Sequence, residues 1–144
     1  MFGKLDTNVA LARFCNNFSS MLASGVPILQ ALDIVGSTSG NYVIDSSSKR
    51  VGRLVERGYR LADSMSTEKI FPNMLVQMVA IGEDSGAIDK MLSSAGRAYD
   101  EEAQSMAKQL TSLLEPLMIL FLGVVVGFMV VALYMPMFSM FDAI

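Results

Sequence analysis

Three carboxylates crowd one short stretch of this chain: Glu83, Asp84 and Asp89 surround Ser85-Gly86. Hard oxygen ligands of this kind suit calcium or magnesium, but the EF-hand spacing is absent and two or three side chains make a thin coordination shell. The same residues also suit an interhelical turn. Gly86 would take the left-handed conformation, and Ser85 or Asp84 would cap the following helix near its positive end. The turn is the stronger reading, with Glu83, Ser85 and Gly86 as its residues and neither metal nor cofactor assigned. Histidine is absent from all 144 residues, which removes the commonest general base and metal ligand. The single cysteine, Cys15, lies in an apolar helical stripe and reads as a small core hydrophobe. Ser-His-Asp, Cys-His and zinc mechanisms are thereby excluded within the chain. With no glycine-rich phosphate loop either, a membrane-anchored enzyme is disfavoured, and the chain is read as non-catalytic.

A second group is basic. Lys49, Arg50, Arg53, Arg57 and Arg60 hold five of the 11 basic residues, and Arg50, Arg53 and Arg57 share one helical face. Such a face could dock an acidic protein surface or anionic lipid headgroups. It could equally be a solvated face that Glu56 and Asp63 partly neutralise. The net charge of −3 gives no global field that would draw nucleic acid.

The third group is apolar. Glu115 and Asp142 bracket an uncharged stretch, within which Leu117 to Met135 is an unbroken apolar run. A bilayer core of about 30 Å needs roughly 20 such residues as a helix, so the segment is read as a membrane span and not as a buried core helix. Within it, Gly123 and Gly127 form a GxxxG pair that lets another helix approach closely, although glycine is common in membrane helices. Tyr134 fits an aromatic belt. Arg97 and Lys108 precede the span and no Lys or Arg follows it, in keeping with a cytoplasmic bulk and an emerging tail. MFGKLDTNVALARF lacks an apolar h-region and a small-residue cleavage site and is not read as a signal peptide.

Helices must position these groups. Asp6, Thr7 and Asn8 offer N-caps to a first helix carrying Leu11, Phe14, Cys15 and Phe18, and Gly25 stops it. Pro27 suits the first turn of a second helix, which Gly40 ends. A third runs from about Tyr42 to Arg57, with Gly58 as its C′ residue. Leu61, Ala62 and Met65 suggest a short fourth, and Pro72 opens a fifth. The sixth starts near Ala87 and meets no breaker before Glu115, so it is expected to run into the membrane with a kink at Pro116. Asp100, Glu101 and Glu102 make a solvated acidic step on it, and the 12 methionines read as adaptable packing. The expected fold is all-α: a six-helix antiparallel cytoplasmic bundle whose last helix continues into a C-terminal transmembrane helix. Its divisions are a linker over 1–8, the bundle over 9–114, the membrane helix over 115–141 and a tail over 142–144.

Three stretches together resemble the inner-membrane platform proteins of type IV pilus and type II secretion machines. They are ALARFCNNFSSMLASGVPILQALDIV (10–35), FPNMLVQMVAIGEDSGAIDKML (71–92) and LLEPLMILFLGVVVGFMVVALYMPMF (113–138). The family's GE-x-SG turn maps onto Gly82, Glu83, Ser85 and Gly86, and its EP at the membrane onto Glu115 and Pro116. The resemblance implies that the chain corresponds to the second of two cytoplasmic copies plus the final span, either as a piece of a longer protein or as a short member. It further implies a bacterial inner-membrane scaffold with a periplasmic C-terminus. The implied partners are a cytoplasmic hexameric assembly ATPase, pilins or pseudopilins, other inner-membrane assembly proteins, membrane lipid and further copies of itself. FPNMLVQMVAIGE and YMPMF lie nearer the pilus branch than the secretion branch. A self-sufficient tail-anchored adaptor, unrelated to either machine, is the competing class.

Overall fold

The computed structural model describes residues 2–144, without the side chain of Phe2. Six α-helices follow one another: α1 Phe2–Ala23, α2 Ile28–Thr38, α3 Tyr42–Glu56, α4 Leu61–Ser66, α5 Asn73–Ser85 and α6 Ile88–Asp142. No strand occurs among the described residues. The all-α expectation therefore holds, including a last helix that carries the apolar segment. The chain divides into two compact units, one reaching to Ser105 and the other running Met106–Ile144.

The start of α1 departs from expectation. Asp6, Thr7 and Asn8 lie inside the helix, which already begins at Phe2. The Thr7 hydroxyl donates to the Gly3 carbonyl four residues back at 2.8 Å, and Asn8 is buried. Both side chains are therefore engaged in ways that a solvent-facing cap would not be. Pro27 and Pro72 stand one residue ahead of their helices, as the caps of α2 and α5. Their carbonyls accept the first helical bonds, from Ala31 at 2.9 Å and Val76 at 3.1 Å. Asn41 caps α3, its side chain accepting from the amides of Val43 and Ile44. Gly58 closes α3 as expected: at φ +95° it lets the amide of Tyr59 reach back to the Leu54 carbonyl at 3.2 Å, a Schellman closure.

The apolar faces meet in one core in the first unit. Leu11, Phe14, Cys15 and Phe18 of α1 lie against Leu32 and Val35, Ile44 and Val51, Met65, Phe71, Leu75 and Val79, and Leu92 and Tyr99. Phe14 packs edge-on to Phe18 at 5.6 Å and against Phe71 at 5.4 Å, in the range where ring pairs add to plain burial. Small residues set two close approaches. A Cβ at Gly36 of α2 would stand 2.7 Å from that of Ser48 on α3, and one at Gly96 of α6 would meet Asn16 of α1. Asn16 donates in turn to Asp100 at 3.0 Å, and the Ser19 hydroxyl donates to the Asp89 carbonyl at 2.6 Å.

Candidate functional site

On α3, the three arginines expected to form a docking face are in different situations. Arg50 grips Glu68 with both arms of its guanidinium, Nε to Oε1 at 2.6 Å and Nη2 to Oε2 at 2.8 Å. The Ser47 hydroxyl donates to the same carboxylate at 3.1 Å. These hydrogen bonds from Arg50 and Ser47 hold the Glu68 carboxyl below its usual range despite partial burial, and the Arg50 guanidinium is correspondingly raised. Arg50 is therefore a brace between α3 and the turn that follows α4. Arg53 and Arg57 are exposed, Arg57 as the C-cap of α3. Lys49 bonds Asp45 one turn back at 3.2 Å. Arg53 and Lys49 line a shallow groove of about 500 Å³ between α2 and α3, together with Leu29, Asp33 and Glu56.

At the α5–α6 turn, Glu83 and Asp84 are held by other parts of the chain. Glu83 accepts from the amides of Leu61 at 3.0 Å and Ala62 at 2.6 Å. These are orphan donors of the first turn of α4, which the preceding Arg60 leaves without a side-chain cap. Asp84 pairs with Arg60 at 2.6 Å. The Ser85 hydroxyl donates back to the Ile81 carbonyl at 2.8 Å. Neither Asp84 nor Ser85 thus caps α6, because each is already engaged elsewhere. Gly86 is left-handed, at φ +72°, and the amide of Ala87 closes onto the Gly82 carbonyl at 2.8 Å. Gly82 has a separate reason to be glycine: a Cβ there would lie 2.8 Å from the Cα of Ile88. Among the described residues no group of three or more His, Cys, Asp or Glu is placed to hold a metal.

Cys15 is fully buried, and burial pushes its thiol up to about 12, so it is protonated and unreactive at neutral pH. Burial likewise pushes the Tyr99 phenol up to about 12, and its hydroxyl has no hydrogen-bond partner.

In the second unit, the most apolar stretch of α6 is not buried by protein at all. Every residue from Leu117 to Met135 is exposed. An apolar surface of that extent requires lipid or another apolar partner. Gly123 and Gly127 face open space. Glu115 and Pro116 sit within the helix, as does a second proline, Pro136.

Two contacts escaped sequence reasoning. Glu68 lies 18 residues from Arg50, and Glu83 lies 22 from the amide of Leu61, beyond any local spacing rule. Asn41, by contrast, carried an ordinary cap signature immediately before an apolar run.

The model of the family described as type II secretion system (T2SS), protein F, matches residues 14–136. Over 140 residues the chain is 41% identical to a type IV pilus assembly protein PilC of Pseudomonas aeruginosa, covering 97% of this chain and 37% of that protein. It is 39% identical to a type IV pilus assembly protein PilC of Myxococcus xanthus, over 100% of this chain and 34% of that one. A type II secretion system protein F of Pseudomonas aeruginosa is 31% identical, with 97% of this chain and 35% of that protein covered. The chain spans about a third of the length of these relatives.

Proposed function

From the membership of this chain in the type II secretion system protein F family, we infer that it serves as a non-catalytic inner-membrane platform of a type IV pilus assembly machine. The observation that carries the pilus branch is the identity gradient: 41% to a pilus assembly relative against 31% to a secretion relative of the same organism. A platform subunit of a type II secretion system is the second reading, supported by that same 31% over 97% of the chain. An unrelated tail-anchored adaptor would not carry similarity of this extent.

In this role the chain couples a cytoplasmic hexameric ATPase to polymerisation of pilins, or of pseudopilins in the second reading. It works beside other inner-membrane assembly proteins and further copies of itself. The bundle lies in the cytoplasm, α6 crosses the bilayer, and the C-terminus is periplasmic. Arg53 and Arg57 form the docking face for the acidic surface of the ATPase, while Arg50 orients that face through Glu68. Glu83 ties α5 to the first turn of α4, Ser85 bonds back within α5, and Gly86 turns the chain from α5 into α6. Gly123 and Gly127 pack against a neighbouring membrane helix, and Glu115 with Pro116 forms a kink where the helix meets the membrane. What supports this reading is charge and geometry: two exposed guanidinium groups on a helix braced at both ends suit recognition by steering and register.

Photocrosslinking in cells tests it, with probes at positions 53 and 57 of the protein as it is naturally produced. Crosslinks to an assembly ATPase are expected there. Crosslinks only to lipid or to other copies would reject the docking face.

A further inference from the structure

Pro116 and Pro136 both lie inside α6, and the roughly 20 residues that separate them rise about 30 Å, the thickness of a bilayer's hydrocarbon core. The uncharged stretch nevertheless continues to Phe141, farther than the core requires. Between the prolines the helix is apolar on every side. Beyond Pro136 the pattern changes. Met137, Phe138, Met140 and Phe141 fall on one side of the helix, and Ser139 and Asp142 fall on the other. One apolar arc beside one polar arc describes a helix lying in an interface, whereas a spanning helix is apolar all round.

A change of direction is available at the same place. Pro136 has no amide to give the Ala132 carbonyl, and its ring crowds that oxygen, which is the commonest cause of a helix kink. The Ser139 hydroxyl bonds back to the Met135 carbonyl at 3.1 Å, a contact that also favours bending.

We propose that the bilayer span of this chain is Pro116–Pro136 and that residues 137–142 form an amphipathic foot in the far membrane interface. Met137, Phe138, Met140 and Phe141 enter the lipid, and Ser139 and Asp142 face water. The occupant of the apolar face is lipid, because the face continues directly from the segment that crosses the bilayer. No Lys or Arg occurs from 117 to 144, so the foot binds by apolar burial and not by attraction to anionic headgroups. The inference rests on the membrane reading of α6.

An upright continuation of the helix makes a different demand, since exposure to water then follows depth and not helical phase. Nitroxide labels on single cysteines at each position from 137 to 142 distinguish the two, in the full chain reconstituted into phosphatidylcholine vesicles. The native Cys15 is buried and stays unlabelled. Collision with a water-soluble nickel complex is expected to be at least threefold higher at Ser139 and Asp142 than at Phe138 and Phe141, with oxygen showing the opposite pattern. A steady rise from 137 to 142, or uniform exposure to oxygen, would overturn the foot. A label at Val125 reports separately on the span. A lipid-like signal there without oscillation after Pro136 rejects the foot alone, and a water-like signal rejects the membrane reading with it.

Discussion

Glu83 illustrates how much a single side chain can carry in a bundle of short helices. Its two oxygens serve the first amides of α4, so Glu83→Ala leaves two orphan donors and removes a charge-assisted cap. The loss expected is about 1–2 kcal/mol, read as a lower chemical-denaturation midpoint of the full chain in detergent. Glu83→Gln, which keeps one acceptor, should recover part of it. Glu68 gives a pH-dependent counterpart. Its folded carboxyl lies below its usual value because Arg50 and Ser47 donate to it. That contribution is complete above the unfolded value of about 4.3 and disappears as pH falls through the lowered folded value. The difference in melting temperature between the natural chain and Glu68→Gln should therefore be constant from pH 7 to 5 and close below pH 4. A difference that persists in acid would assign the effect to shape and not to charge. At the proposed docking face, the double reversal Arg53→Glu with Arg57→Glu should weaken binding to the proposed ATPase partner about tenfold, or about 1.4 kcal/mol, in a pull-down titration. Neither arginine is held in the fold by a side-chain pair like that of Arg50 with Glu68, so the melting temperature should change little.

At the scale of elements, periodicity was the legible signal. Leu11, Phe14, Cys15 and Phe18 recur at helical spacing, and the structure buries all four. The glycine stop at Gly58 and the left-handed Gly86 follow from local backbone rules. What local rules could not supply was any contact made across the bundle. Arg50 read as one of three equivalent arginines because Glu68 is not its neighbour in sequence. Asp84 and Ser85 read as caps because nothing nearby showed Arg60 or the Ile81 carbonyl competing for them. Thr7 and Asn8 likewise read as caps, since burial of Asn8 is a tertiary fact. Gly82 marks a joint between elements that is closed by backbone. Gly82→Ala sets a Cβ against the backbone of Ile88, where no rotamer change can relieve it, and should cost about 1–3 kcal/mol. Gly3→Ala, at a helical position where a Cβ meets nothing, should instead stabilise slightly, by up to about 1 kcal/mol. Thermal melts of the two variants side by side check both values.

At the scale of the whole molecule, the apolar segment of α6 separates the chain's chemistry into a watery part and a lipid part. Val125→Arg places a charge near the middle of the span, at roughly 2.5–3.5 kcal/mol against insertion, and should shift the chain out of the membrane fraction on carbonate extraction. The substitutions Gly123→Ile and Gly127→Ile should reduce crosslinking to neighbouring helices without that shift, because they add bulk where close approach is proposed and leave apolarity intact. The Glu83 contact also has a consequence in time. A helix of six residues such as α4 has no stability of its own, and its capping carboxylate is 22 positions further along the chain. At a synthesis rate of about 5–20 residues per second, α4 leaves the ribosome and waits roughly 1–4 s for the residue that completes it. The apolar segment that begins at Leu117 emerges later still, so the clasp can close before that segment enters the bilayer.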